Sequence, residues 1–380
     1  MADGDEKVQI HRGLSGVHFD RSRVCFIDGR AGELLYRGYS IHDLAERSTF
    51  EETCYLLLKG ELPTRPELDA FATELKSARA LPAGILDIVR TVKDAHPMDV
   101  LRTAVSALAA FDSDAADNSP EATLRKGVRL TSQVPMIVAA HEAIRRGRAV
   151  PEADPRLSHA ANFLQMLTGK PPSATAARLM DIDLILHAEH GSNASAFTAR
   201  VVAGTKANLH AAMTAAIGAL SGPSHGGAAE DVMRMAQEIG DASHAADYVK
   251  AKRANKEAVM GFGHRVYRAE DPRARHMRAG VLALSKEMGD PRWFQILEAL
   301  VEAMRPYARH GVNVNVDFYA GVVYFLNGIP EDLFVPVFAV GRVPGWTVQV
   351  MEQLENNILI RPLTVYNGPP RRDYVGIDAR

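Results

Sequence analysis

The sequence has only two cysteines, Cys25 and Cys54. Two thiols are too few for a disulfide scaffold. Both sit among apolar neighbours (Val-Cys-Phe and Thr-Cys-Tyr), which reads as small buried hydrophobes and fits a reducing, cytoplasmic setting. An excess of one charge is also missing: 44 Lys plus Arg against 46 Asp plus Glu leave a formal net charge of −2. That balance gives no general attraction to nucleic acid or to an anionic membrane surface. The longest uncharged stretch, 207–229, is broken by Asn208, His210, Pro223, Ser224 and His225. It reads as a buried helix followed by a functional turn rather than a bilayer span. The N-terminal MADGDEKVQIHRG is polar and acidic and lacks the basic start and apolar run of a secretion signal. No P-loop, Ser-x-Gly nucleophile elbow, internal repeat or low-complexity block is found.

What is present is an ordinary globular composition, 47% hydrophobic and 24% charged over 380 residues. The length gives a soft expectation of two to three domains. Ala and Leu dominate the apolar residues, and helix starts are well marked. Thr64 with Glu67 forms a capping box ahead of a 65–78 helix. Ser119-Pro120-Glu121 opens a long helix to about Arg146, with Pro at the first helical position. Asp271-Pro272 opens another that stops near Gly289, and Ile329-Pro330-Glu331 opens one near the C-terminus. Strand signals are few: a small hairpin at 23–35 turning at Asp28-Gly29, and a second candidate at 358–366. The predicted class is all-α with minor β trim.

Five segments carry more polar chemistry than packing requires. The stretch 187–195 holds His187 and His190, three residues apart, followed by Asn193 and Ser195. A pair of His supplies too few ligands for a metal, so a core or cap role and an anion or substrate contact both stay open. In Ser221-Gly222-Pro223-Ser224-His225-Gly226-Gly227, His225 sits on a tight turn just before a helix. The helix dipole there disfavours the imidazolium and suits a neutral hydrogen-bond donor. The third segment, Gly261-Phe262-Gly263-His264-Arg265-Val266-Tyr267-Arg268 with Asp271 and Arg273, combines Gly backbone, one His and several Arg in a pattern suited to phosphate or carboxylate. Asp317 stands at the edge of an apolar run, where lost hydration raises carboxylate basicity. Arg342 and Arg361 each lie in apolar segments and need a partner, either a ligand carboxylate or a structural acid. A carboxylate base, His donors and Arg clamps together suit enolisation beside a polycarboxylate.

Over nearly the whole length, from about Gly13, the sequence resembles the citrate synthase family. The resemblance rests on FIDGRAGELLYRGYSI (26–41), LPTRPEL (62–68), HPMDVLRTAVSAL (96–108), HAEHGSNASAF (187–197), GPSHGG (222–227), GFGHRVYRAEDPRA (261–274), NVDFYAG (315–321) and IRPLTVYNG (360–368). It implies a two-domain helical fold: a large domain of 1–227 plus 332–380, and a small one of 228–331. It implies condensation of acetyl-CoA with oxaloacetate, with propionyl-CoA and 2-methylcitrate as the near alternative and a non-catalytic assembly role as a remote one. By resemblance Asp317 is the base, His225 the donor to the thioester oxygen and His264 the donor to the oxaloacetate carbonyl. His190, Arg273 and Arg342 match carboxylate ligands, and Asn193 lies in the same substrate-binding motif. Ser195 matches the residue that orients His225. Val259, Met260, Gly261, Phe262 and Gly263 match the loop that receives the adenine of CoA, and Arg268 a phosphate contact. Arg361 matches an Arg supplied across a homodimer interface. The thioester is a substrate, and neither a bound cofactor nor a metal is implied. The short form, without an NADH site, is expected. Ser224, Ala229 and Val314 stand where the family usually has a bulky residue, Asn and Pro.

Overall fold

The computed structural model describes residues 9–14 and 16–380. The expectation for the first residues of the chain therefore falls largely outside the described part. Among the described residues there are sixteen α-helices and one three-stranded antiparallel sheet. The strands are β1 (Cys25–Asp28), β2 (Glu33–Tyr36) and β3 (Tyr39–Ser40). The helices begin with α1 (Ile41–Arg47), α2 (Phe50–Lys59), α3 (Arg65–Ser77), α4 (Ala83–Thr91) and α5 (Pro97–Leu108). Next come α6 (Pro120–Arg145), α7 (His159–Thr168), α8 (Ala174–His187), α9 (Ala194–Gly204) and α10 (Leu209–Leu220). The set ends with α11 (Ala228–Ile239), α12 (Ala245–Ala254), α13 (Ala274–Met288), α14 (Arg292–Ala308), α15 (Asp317–Leu326) and α16 (Phe334–Glu355).

Local chemistry explains most of these boundaries. Thr64 and Glu67 make the capping box of α3, with the Thr64 amide donating to Glu67 Oε2 at 2.7 Å. Ser119 caps α6 and Pro120 occupies its first position. Gly289 ends α13 in the left-handed conformation that a side chain would resist. Two expectations need correction. The hairpin turn is four residues long, because Asp28 pairs with Glu33 and Asp28 Oδ1 accepts from the amides of Arg30 and Ala31. The strand expected at 358–366 does not form: that stretch has no regular structure, lies largely exposed and pairs with no strand among the described residues.

Helix α16 is the axis of the core. It packs against α6, α8, α9 and α10, and Trp346 at its middle is fully buried. The segment 331–355 is long and apolar enough to cross a membrane, but 94% of its most apolar window is buried inside the protein, as in a core helix. Its neighbours approach closely through glycine. A Cβ on Gly127 of α6 would lie 2.2 Å from Thr347 Cγ2, and one on Gly345 would lie 2.1 Å from Ala188 O. Helices α11 to α15 pack on one another and meet the rest of the chain through α13 against α8 and α11 against α16.

Candidate active site

The α8–α9 connection supplies the first part of the site. Asn193 caps α9 by accepting from the Ala196 amide at 3.1 Å, which fixes its amide orientation. The Ser195 hydroxyl then lies 2.7 Å from Asn193 Oδ1, 3.0 Å from His225 Nε2 and 3.0 Å from Trp346 Nε1. The Ser195 amide also donates to His225 Nε2 at 3.3 Å. Nε2 therefore acts as an acceptor, and in the neutral ring Nδ1 carries the proton. Burial, followed by the nearby Arg342 charge, pushes the His225 pKa down to about 4. The turn beneath it is tight. A Cβ on Gly226 would lie 2.3 Å from Leu220 O, so only glycine fits there.

His264 has the opposite tautomer. The amides of Val266 and Tyr267 donate to its Nδ1 at 3.0 and 3.1 Å, so the neutral ring carries its proton on Nε2. Burial and the adjacent Arg273 charge push its pKa down to about 4. His190 packs edge-on against both His264 and Tyr267, and its Nε2 lies 3.1 Å from the Tyr267 hydroxyl. Its pKa is well below the ordinary value, through burial and then the charges of Arg273, His264 and Arg342. All three imidazoles are thus neutral at pH 7, two of them with tautomers set by backbone amides.

Both buried arginines face these rings. Arg273 Nε and Nη2 donate to the Asp271 carboxylate at 2.9 and 2.7 Å, a bidentate pair that leaves Nη1 free of it. Burial alone would raise Asp271, but Arg273 holds its pKa below the usual carboxylate range. Arg342 Nε donates to the His187 carbonyl, and its guanidinium stacks 4.8 Å from the Phe338 ring centroid. Burial lowers its pKa; Glu189 opposes that and Arg273 adds to it. The field of Arg273 reaches His190, His264 and Asp317, and that of Arg342 reaches His190 and His225. Two guanidiniums and three neutral imidazoles gather hydrogen-bond donors of the kind that bind carboxylates.

Asp317 is the first residue of α15 and partly buried. Burial raises its pKa, and the charges of His187 and Arg273 oppose that rise. The loop 259–263 is pinned alongside. Phe262 bridges Val314, Asn315 Nδ2 donates to Gly263 O at 3.0 Å, and Phe262 packs on Phe318 at 4.8 Å. Gly261 has φ +79°, and a Cβ there would lie 2.6 Å from Phe318 Cδ2. Val259 is buried, and Met260 packs against the core. The Arg268 amide donates to Gly29 O at 2.7 Å and Arg268 Nη1 to His264 O at 3.2 Å, which ties the hairpin turn to this segment.

The structure thus brings together His190, Asn193, Ser195, His225, 259–263, His264, Arg268, Arg273, Asp317 and Arg342. Arg361 is not among them: it lies exposed on the segment that follows α16. His187 and His190 turn to different partners, Asp183 O at 2.9 Å and the Tyr267 hydroxyl. Among the described residues no cluster of three or more His, Cys, Asp or Glu is placed to hold a metal ion. Sequence reading passed over several supports. Tyr267 lies three residues after His264, and Trp346 four after Arg342. Asp183 and Tyr324, whose hydroxyl donates to Asp183 Oδ2 at 2.8 Å, had no signal beyond the (i, i+4) spacing of Asp183 and His187.

Known proteins resemble this chain over nearly its whole length. Residues 13–363 fit the family model described as citrate synthase, C-terminal domain. The chain is 44% identical to a citrate synthase of Haloferax volcanii, over 98% of this chain and 99% of that one. It is 41% identical to 2-methylcitrate synthase 1 of Corynebacterium glutamicum, again over 98% and 99%. A solved citrate synthase of Thermoplasma acidophilum, in ternary complex with carboxymethyl coenzyme A and oxaloacetate, superposes with a TM-score of 0.92 at 30% identity. That match covers 98% of this chain and 100% of the other. The chain is an acyltransferase of the citrate synthase type and belongs to the citrate synthase family.

Proposed function

We propose that this protein condenses acetyl-CoA with oxaloacetate and water to give citrate and free CoA. The observation that carries the reading is the pair of neutral histidines with opposite, backbone-set tautomers, His264 in the field of Arg273 and His225 in that of Arg342, with Arg273 acting on Asp317 as well. Arg273 Nη1 and Arg342 hold the oxaloacetate carboxylates with His190. The Asp317 carboxylate takes a proton from the α-carbon of the thioester, and the C–H electron pair becomes the enol double bond. His225 Nδ1–H hydrogen-bonds the thioester oxygen as charge builds on it. A solvated carboxylate is too weak a base for this step, so donors placed before the reaction supply the stabilisation. The enol carbon attacks the oxaloacetate ketone, and His264 Nε2–H polarises that oxygen and protonates the alkoxide. Water then cleaves the citryl thioester and releases the CoA thiol.

The loop 259–263 and Arg268 take the adenine and a phosphate of CoA, which enters as a substrate; no resident cofactor is required. Residues 228–331 act as a small domain that closes on the large one once oxaloacetate is bound, excluding water. The exposed segment after α16 carries Arg361 into the site of a second copy. Apolar exposure along it supports that reading: Ile358, Leu363 and Tyr366 are 72%, 84% and 76% exposed in the single chain.

The 41% identity to a 2-methylcitrate synthase favours a second reading with propionyl-CoA. One methylene is worth about 1–3 kcal/mol in an apolar pocket. The test is thiol release with oxaloacetate, comparing kcat/KM for the two thioesters with Asp317→Ala as the blank. An acetyl preference that vanishes in the blank supports the first reading. A propionyl preference moves the substrate and keeps the mechanism. Release that survives in Asp317→Ala removes Asp317 as the base.

A further inference from the structure

The hairpin turn 29–32 gives no side chain to the reaction scheme above, yet its backbone is pressed against the segment that carries His264. A Cβ on Gly29 would lie 2.2 Å from Val266 O and 2.8 Å from Val266 C. Both are backbone atoms, so no rotamer change relieves the contact. Gly29 O accepts from the Arg268 amide at 2.7 Å and from the Ala269 amide at 3.4 Å. Gly32, at φ +69°, continues the approach: a Cβ there would lie 3.1 Å from Glu270 O. Asp28 stiffens the turn itself, its Oδ1 accepting from the Arg30 amide at 2.8 Å and the Ala31 amide at 2.9 Å.

The opposite side of the same segment faces the site. The Val266 and Tyr267 amides donate to His264 Nδ1, which leaves the ring proton on Nε2. The Tyr267 ring lies against His264 at 4.7 Å between centroids, and its hydroxyl is 3.1 Å from His190 Nε2. Val266 thus meets Gly29 through its carbonyl and His264 through its amide. Gly29 also holds Arg268, one residue beyond Tyr267. A turn fixed to a glycine carbonyl on one side and to a histidine ring on the other cannot shift without moving the ring. Local bonds set the tautomer of His264, and the hairpin sets where that ring stands.

We propose that Gly29 is a positioning residue for His264, its bare Cα and its carbonyl seating the 266–268 backbone so that His264 Nε2–H is aimed at the oxaloacetate ketone. The inference deepens the reading of His264 given above and rests on it. A side chain at position 29 lifts Val266 off the hairpin and carries the two amides with it. His264 then keeps its proton on Nε2 and loses its aim. The carboxylate clamps are anchored elsewhere: Arg273 on Asp271, and Arg342 on the His187 carbonyl and the Phe338 ring. Binding of oxaloacetate and polarisation of its ketone are therefore separable.

The test is the infrared stretch of the ketone in enzyme-bound oxaloacetate, carrying 13C at that carbon, together with the kinetics of thiol release, on full-length Gly29→Ala. A hydrogen bond to the ketone oxygen weakens the C=O bond and lowers the stretch. In Gly29→Ala the stretch moves toward that of the free ketone, and kcat falls about tenfold to a hundredfold. The KM for oxaloacetate stays within about threefold. Asp28→Ala loosens the turn without adding a Cβ at position 29, and moves stretch and kcat the same way by less. Asp28→Asn, whose Oδ1 still accepts from both amides, restores both. Should Gly29→Ala not fold, judged by circular dichroism and urea midpoint, the two Asp28 variants decide. An unmoved stretch, whether or not kcat falls, overturns the proposal. His264→Gln separates it from the reading beneath. A stretch that moves in His264→Gln alone overturns only the role of Gly29, and one that moves in neither variant overturns the role of His264.

Discussion

Gly345 offers the sharpest quantitative test of how the core positions the site. It lies on α16, three residues after Arg342, where the helix presses on the connection that carries His190. A Cβ there would lie 2.1 Å from Ala188 O and 2.5 Å from Glu189 Oε2. An unstrained carbon–oxygen contact is about 3.3 Å. Gly345→Ala therefore requires helix and loop to part by about 1 Å, against backbone that cannot rotate away. Alanine brings about 1 kcal/mol of helix propensity, while overpacking a filled core costs about 1–3 kcal/mol or more. The net is destabilising. The same displacement moves the His190 loop relative to Arg342, and a shift of about 1 Å in a reacting constellation costs roughly a hundredfold in kcat/KM. Gly218→Ala is the matched control. It also lies within a helix, α10, but its Cβ would find nothing closer than Arg102 Cδ at 3.6 Å. Only the propensity gain remains, so stability rises by up to about 1 kcal/mol with activity unchanged. Urea unfolding midpoints and thiol-release rates of the two variants decide the matter. A Gly345→Ala protein as stable and as active as Gly218→Ala would refute the reasoning.

Three further outcomes follow from other contacts. Ser195→Ala removes the hydroxyl shared by His225 and Trp346 and strands the buried Trp346 N–H, at about 1–3 kcal/mol in stability; kcat should fall with the oxaloacetate KM unchanged, and a loss in KM alone would count against the orienting role. His159 is buried with both ring nitrogens unpartnered, and burial, reinforced by Arg79, pushes its pKa down to about 3. The unfolded chain binds that proton near the ordinary value of 6.5, so the stability present above it is lost as pH falls from there toward 3, by about 1.4 kcal/mol per unit. Urea midpoints of His159→Phe should fall less steeply between pH 7 and pH 5, and identical slopes would reject this. Mixing refolded Arg361→Ala and Asp317→Ala chains should restore some activity to two inactive proteins, and well-folded mixtures that stay inert would separate Arg361 from the partner's site.

Helix identity was legible residue by residue. Capping signals at Thr64–Glu67 and Ser119-Pro120 and the stop at Gly289 act within a few residues, so they mark the boundaries of α3, α6 and α13 wherever those helices end up in space. The expected helix at Asp271-Pro272 begins slightly later, at Ala274, because Asp271 is drawn into its pair with Arg273. The strand expected at 358–366 failed for a related reason. Apolar β-branched residues favour a strand only where another backbone supplies the hydrogen bonds, and none does so here.

Site chemistry divides in the same way. Residue types and local spacing determined that the chain is helical, that His225 and Asp317 adjoin helix N-termini, and that the ordered motifs carry the family. None of these needs a long-range contact. The His225 tautomer, the pKa directions and most of the support were decided by tertiary structure, whereas the His264 tautomer is set locally by the Val266 and Tyr267 amides. Trp346 reaches Ser195 across 151 residues and Tyr324 reaches Asp183 across 141, distances over which sequence carries no spacing rule. Neutral histidines beside two buried arginines also depend on desolvation, which belongs to a packed interior and is absent from any isolated segment.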